Sequence, residues 1–452
     1  MLRTAMDSHR KEGTLKLIVL LLLPLLTASG YLLGEEKPPQ RLTLREAVQL
    51  ALKQNPQVQI ANLNLAESEA DRVGARAALL PQIGFETYDK VQRFNLDAFI
   101  GHSFPGSPQH AGPFQTFQAG PGFSMPLFDL TLWRRLQAAR QSINATAAQE
   151  MGVREQIVLL VVSQYLGSLR ASANVRAAQS RVDLAQALYD QAADLQQHGV
   201  GTGLDTLRAN VQLQNEKQRL IVAETQLKTS LYGLTQLLNL QPSQSLQLAD
   251  EVSFFATPEF PASQSIEQAY TSRPEMKVLD AREQIVLAQR KAAGEARLPN
   301  ILLNGNWGYQ GLSFPSAIPA YQFQVTLDVP LFTGGKIRAE TTKADLELKK
   351  VAREKEEQRN QIALEVKTAL AELESARHEV DVANLGVKLA EEEVSQARDR
   401  FQAGVANNIE VVTAQDAFAR ANDNQIGALY RYNQSRADLA HATGQIESLY
   451  SK

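Results

Sequence analysis

The sequence runs through one plan twice. Asn55-Pro56 returns as Arg273-Pro274, and Leu80-Pro81 as Leu298-Pro299, both 218 residues later. Pro126-Leu127-Phe128 returns as Pro330-Leu331-Phe332 at an offset of 204, and Gly199-Val200 and Ala209 return as Gly404-Val405 and Ala414 at 205. A chain made of two copies of one unit must adopt an architecture that the unit can supply twice. The offset drops by 14 between Pro81 and Pro126, so the first copy is expected to carry about 14 extra residues there, in a longer loop. The expected boundaries are a first repeat at 42–241, a polar, Pro-containing linker at 242–263, a second repeat at 264–447 and a tail at 448–452. Each repeat opens with a helical segment, 44–80 or 265–298. Two alternating segments follow, then a very long helical stretch, a Gly-containing break and a second helix.

The alternating segments have period two. Tyr321, Phe323, Val325, Leu327 and Val329 alternate with Gln322, Gln324, Thr326 and Asp328. Ile301, Leu303, Trp307 and Tyr309 share a face opposite Asn300, Asn304, Asn306 and Gln310. In the first repeat Ile83 and Phe85 oppose Gln82 and Glu86, while Phe117, Phe123 and Met125 oppose Gln118 and Ser124. Such segments match the roughly ten residues of a tilted strand crossing an outer membrane. Alternation alone leaves open an amphipathic sheet on a soluble core. If the strands sit in lipid, four cannot close a barrel, and an open edge is not tolerated there, so several chains must pool them. Three chains would supply twelve. The stretch Gly101-His102-Ser103-Phe104-Pro105-Gly106, between the first two strands, reads as an exposed turn.

The long stretch after the second pair carries Ile362, Val366, Ala369, Leu373, Ala376, Val380, Ala383, Val387, Ala390, Val394, Ala397 and Phe401 at unbroken 4-3 spacing, a coiled-coil period. Set back by 205, the same register gives Ile157, Val161, Gln164, Ser168, Ala171, Val175, Ala178, Val182, Ala185, Tyr189 and Ala192, with Gln164 and Ser168 diluting it. A helix over 336–402 would be about 100 Å long at about 1.5 Å per residue. On the helices alone, a solvated coiled-coil scaffold and a tunnel wall both remain open.

At the N-terminus Arg10, Lys11 and Lys16 precede the apolar run Leu17–Leu26, which is too short for a bilayer anchor, and then the small residues Ala28-Ser29-Gly30. That order predicts a secretory signal peptide over 1–30. No other stretch approaches 18 uninterrupted apolar residues. The chain has no Cys, hence no disulfide, thiol nucleophile or lipidated cysteine. A net charge of −3 argues against a nucleic-acid partner.

Pro330-Leu331-Phe332-Thr333-Gly334-Gly335, its partner Pro126-Leu127-Phe128-Asp129, and the two helix breaks resemble the TolC-type outer-membrane efflux proteins, over about residues 42–447. The breaks are Gly199-Val200-Gly201-Thr202-Gly203-Leu204-Asp205 and Gly404-Val405-Ala406-Asn407-Asn408-Ile409-Glu410. The resemblance implies an α+β membrane protein: a homotrimer with a 12-stranded β-barrel in outer-membrane lipid, four strands per chain, continued by a long α-helical barrel across the periplasm. It implies a passive exit duct of an efflux or type I secretion system. A periplasmic adaptor would grip the tips, and an inner-membrane efflux pump or ABC transporter would deliver substrate. Cargo and energy source lie with those partners. The adaptor-binding tips would comprise Gly199, Val200, Gly201, Leu204, Gly404, Val405 and Ile409. The pore gate would comprise Glu410, in an acidic ring, with Phe401 and Asp205. Asp205 and Glu410 also stand where a new helix begins, where an acid is favoured by the helix dipole alone. Three departures mark the gate: Thr413 replaces a second acid, Ala406 replaces the family's basic partner, and Phe401 stands at an aromatic gate position without a hydroxyl.

No cofactor, metal or catalytic constellation emerges. His9, His102, His110, His198, His378 and His441 include no metal-ligand spacing, although His102 and His110 share an expected loop. Gly334-Gly335-Lys336 lacks the earlier Gly and the following Ser/Thr of a phosphate loop, and Gly199-x-Gly201 follows a helix rather than a strand. A pore-free envelope scaffold of coiled coils is the competing function.

Overall fold

The computed structural model describes residues 40–96, 98, 101, 106, 108–250, 261–403, 405 and 408–451; the expected signal peptide and most of the Gly101–Gly106 turn, His102 included, lie outside them. In chain order the elements are β1 (Gln40–Leu42), α1 (Leu44–Gln54), α2 (Pro56–Ala77), β2 (Gln82–Asn95), β3 (His110–Phe128), α3 (Leu130–Gln197), α4 (Gly203–Leu237), β4 (Leu246–Leu248), α5 (Ala262–Ser272), α6 (Pro274–Glu295), β5 (Asn300–Gly311), β6 (Ile318–Asp328), α7 (Lys336–Gln402), α8 (Asn408–Ala442) and α9 (Ile446–Tyr450). A 3-10 turn at Phe314–Ser316 joins β5 to β6. The last helix buries Ile446 and runs across residue 447, so the expected tail begins inside an element.

The repeat marks have local causes. A residue before proline is pushed to extended backbone, which breaks a helix. Asn55 (φ −62, ψ 128) and Arg273 (φ −62, ψ 132) both take that form and divide each opening segment into two helices. The Asn55 side chain accepts from Gln57 N at 2.9 Å, capping α2.

Four strands form one antiparallel sheet in the order β2-β3-β5-β6, leaving β2 and β6 as its edges. The two hairpins share a register. Gln82 faces Ser124 in the first and Asn300 faces Asp328 in the second, the same pair moved by 218 and 204 residues. The extra residues of the first repeat are not all loop. The connection 96–109 is longer than its counterpart 312–317, but β2 and β3 also outrun β5 and β6, and the roughly ten residues expected per strand become 14 and 19 in the first hairpin. His110 accordingly opens β3, beside Arg93, instead of sharing a loop with His102.

The helices carry the cores. In α7, Ile362, Val366, Ala369, Leu373, Ala376, Val380, Ala390, Val394 and Ala397 are all buried. Alanine at alternate seam positions lets partner helices approach closely: α8 packs on α7 and on α3, and α6 on both α3 and α7. In α3 the seam from Ile157 through Ala192 is buried except at half-buried Gln164, Val175 and Tyr189, and its polar interruptions are satisfied. Gln164 Nε2 donates to Ser230 O at 2.7 Å, and the Ser168 and Ser230 hydroxyls meet at 2.7 Å. Gly233 leaves the room for this, since a Cβ there would lie 2.8 Å from Gln164 Nε2. A buried polar group costs little once its hydrogen bonds are made.

The linker is partly structured. Its β4 pairs in parallel with β1, Gln40 opposite Leu246. Below that pair Tyr165 donates to Leu42 O at 2.9 Å and to Asp250 Oδ2 at 2.8 Å, and Leu44 N donates to the same carboxylate at 2.7 Å. Burial pushes the Tyr165 hydroxyl well above its usual range.

An ionic layer lies where α3, α6, α7 and α8 meet. Buried Arg273 binds Glu275 at 2.9 Å and also Glu365. Nearby Glu155 is 8% exposed, and burial, with Glu275 beside it, pushes its carboxyl up to about 7. Burial also holds the His441 imidazole below its usual range.

Candidate functional site

Two surfaces concentrate what this fold can do: the faces of the sheet at one end and the helical tips at the other. On the sheet, Ile83, Phe85, Trp307, Tyr309, Tyr321, Phe323, Val325 and Leu327 are exposed apolar residues. Cross-strand pairs such as Trp307–Tyr321 and Leu303–Val325 place them on one face. Phe123 and Phe323 stack tilted at 6.1 Å above Gly305. Gly305 permits this because a Cβ there would sit 2.5 Å from Phe123 and 2.7 Å from Phe323. The opposite face is a hollow lined by Gln82, Glu86, Gln118, Asn304, Asn306 and Gln324. An apolar outer face and a polar concave face suit a strand wall between lipid and water.

The first tip joins α3 to α4. Gly199 has φ +76, the left-handed conformation that ends a helix at little cost only for glycine. Val200 N and Gly201 N both donate to Leu195 O, at 3.0 and 2.9 Å. A Cβ on Gly201 would lie 3.0 Å from the Leu195 and Gln196 backbone, so the turn is tightly closed. Thr202 then caps α4, accepting from Asp205 N at 3.3 Å, while its hydroxyl donates to Asp205 Oδ2 at 2.6 Å. Asp205 is therefore engaged by its own helix cap. Val200, Leu204 and Leu207 stand exposed around it.

The second tip joins α7 to α8, with Val405 N donating to Arg400 O at 3.0 Å, the counterpart of the Val200–Leu195 bond. Gly404, Ala406 and Asn407 lie outside the described residues, and Phe401 falls in the last turn of α7. Val405 and Ile409 are exposed, like Val200 and Leu204. Glu410 stands in the first turn of α8 and accepts from Arg400 Nε at 2.9 Å. This pair was not read from the sequence. Its signal is an opposite charge ten residues back across a helix break, and the first repeat has none, because Leu195 occupies the place of Arg400. Thr413 donates its hydroxyl to Ile409 O at 2.8 Å, within its own helix. The structure thus brings Glu410 to Arg400 and Asp205 to Thr202, two local pairs on separate hairpins.

Among the described residues no three side chains group as metal ligands, and no helix is long and apolar enough to cross a membrane. The latter says nothing about strands.

The sequence model of the outer membrane efflux protein family matches residues 47–240 and 265–445, once for each repeat. The pyoverdine export outer membrane protein OpmQ of Pseudomonas putida is 25% identical over 412 residues, 88% of this chain and 84% of that protein. Outer membrane protein TolC of Vibrio cholerae is 23% identical over 380 residues, 82% of this chain and 84% of its own length. Among solved structures, the CmeC outer membrane channel of Campylobacter jejuni superposes with a TM-score of 0.75 at 18% identity, covering 89% of this chain and 86% of that one.

Proposed function

Because the chain belongs to the outer membrane efflux protein family, we infer that three copies of this outer-membrane efflux or secretion channel close a single twelve-stranded barrel. The observation that carries the assembly is the sheet itself. It has two unpaired edges and an exposed apolar face, and lipid accepts strands only when every edge is closed. With four strands, β2 and β6 run in opposite directions, so identical copies join antiparallel and the ring closes.

The helices support the same reading. Helix α6 packs on both α3 and α7, whereas α2, its counterpart, packs on α3 and makes no comparable contact with α7. Ile60, Leu63 and Val73 remain exposed on α2, as do Leu364, Val382, Leu385 and Leu389 on α7. An α7 from the neighbouring copy supplies the partner that α2 lacks. A pore-free coiled-coil scaffold leaves both the apolar sheet face and these helix faces without a purpose.

In this assembly the repeats 42–241 and 264–447 are the two halves of one wall, and the helical barrel runs from the outer membrane into the periplasm. The tips Gly199–Leu204 and Gly404–Ile409 receive a periplasmic adaptor, and an inner-membrane pump delivers cargo. Glu410, Phe401 and Asp205 narrow the periplasmic end, with Glu410 as the acidic group that cations meet. Support comes from the exposed apolar residues at both tips and from Glu410 in the first turn of α8.

The test is heat-sensitive trimer migration on a gel together with conductance in a planar bilayer. A stable monomer, soluble without detergent, would sink the assembly. In the same bilayers Glu410→Gln should weaken block by divalent cations, and unchanged block would assign Glu410 only to its helix terminus and to Arg400.

A further inference from the structure

The internal repeat specifies how one copy meets the next, residue by residue. Inside the chain the repeats join through β3 and β5, where Ser124 faces Asn304, Ala119 faces Tyr309 and Phe117 faces Gly311. Over residues 82–92 and 300–310 the hairpin registers map β2 onto β5 at 218 and β3 onto β6 at 204; beyond Gln92 the first register shifts. Moving the internal junction by one repeat therefore advances β3 to β6 and sets β5 back to β2. We propose that β6 of one copy pairs antiparallel with β2 of the neighbouring copy so that Asp328 faces Glu86, Gln324 faces Lys90 and Phe323 faces Val91. This rests on the trimeric reading above and deepens it by naming the seam.

Three observations favour this register. The facing residues agree in side: Phe323 and Val91 lie on the apolar face, Asp328 and Glu86 on the polar one. A slip of one residue would set lipid-facing side chains opposite water-facing ones, so only slips of two compete. Both edges are long enough, since β2 spans Gln82–Asn95 and β6 spans Ile318–Asp328. The occupant of each edge is a second copy, because in the seam already present each repeat binds its own counterpart.

The seam has a chemical consequence. Within one chain Glu86 and Asp328 lie on opposite edge strands of the sheet. Across the seam they become direct neighbours, and like charges directly opposite each other weaken a strand pair.

The chain has no Cys, so paired cysteines report the register without competition. Opposed strand positions bring Cα atoms within the 4.4–6.8 Å that a disulfide spans. The double variants Phe323→Cys/Val91→Cys and Gln324→Cys/Lys90→Cys, in the full chain in detergent, should form trimers that resist heating without reductant. Phe323→Cys with Asp89→Cys or with Arg93→Cys should cross-link at least several-fold less. Preferred cross-linking in either shifted pair, or an intact trimer in which no pair cross-links, overturns the register. Absence of any trimer overturns the assembly instead.

A measurement without cysteines guards against misfolded variants. Asp328→Asn and Glu86→Gln should each raise the temperature of trimer dissociation at low salt, and the double variant should gain less than the combined single effects. Fully additive gains would mean that the two acids do not meet, and would also overturn the register.

Discussion

The helical and stranded halves of this chain are both amphipathic, yet the helical half buries much more of its apolar surface within a single copy. The α7 seam from Ile362 to Ala397 is buried within a single copy at all but half-buried Ala383 and Val387. The apolar residues of β6, by contrast, stay more than 60% exposed at Tyr321, Phe323, Val325 and Leu327. The difference is one of solvent. Helices satisfy their own backbone and need only hide a stripe from water. Strands of an open sheet need further chains to pair their edges and lipid to cover their apolar face. One polypeptide thus holds a helical core closed within the chain and a sheet whose apolar face is still exposed.

The sharpest way to break this comparison is to place the same charge in each half. Val366→Asp buries a carboxylate at a position with no exposure, at a cost of roughly 3 kcal/mol or more, and should abolish soluble helical structure as read by circular dichroism. Phe323→Asp should leave that signal intact and instead abolish heat-stable trimers in lipid. Equal loss of helicity in both variants would mean that the two halves fold as one unit.

A smaller effect separates the helical cores from one another. Between about pH 4.5 and 7 the folded chain holds a proton on Glu155 that the unfolded chain has released, so stability falls as pH rises through that window. Glu155→Gln should flatten this slope and raise stability above pH 7 by on the order of 2 kcal/mol. Thermal melts at pH 5 and pH 8 read it; an unchanged slope would place the titration elsewhere in the ionic layer.

The smallest effect belongs to the second tip. Arg400 and Glu410 are both exposed, so Arg400→Ala should cost less than about 1 kcal/mol. It should nevertheless tighten divalent-cation block by removing one positive neighbour of the Glu410 carboxylate. Weaker block would show that Arg400 holds Glu410 in place for cations.

Much of this architecture was legible because its signals are periodic and local. The 4-3 seam and the alternating strands need only neighbours in sequence, whereas the breaks at Asn55-Pro56 and Arg273-Pro274 divide segments expected as single helices. What escaped involves partners from elsewhere. Gln164 and Ser168 look like flaws in a seam until Ser230 arrives from α4. Three residues of β4 show no period inside a polar linker. The division of the first repeat's extra residues between loop and strands depends on where pairing stops, which composition does not mark. At the site, Gly199, Gly201 and the exposed apolar residues of both tips were readable from helix-breaking chemistry. Arg400 was not, because its charge is meaningful only after the hairpin folds back.

The short pairing of β1 with β4 also sets an order in time. Residues 40–42 leave a ribosome or a translocation pore about 200 residues before residues 246–248, the one strand they join among the described residues. Closure over so long a separation is entropically slow. The start of the chain must therefore wait, unpaired, until the first repeat has passed through. The pairing is a clasp that can close only once that repeat is complete, so a chain cut short before Leu246 would arrive in the periplasm with its first strand still open.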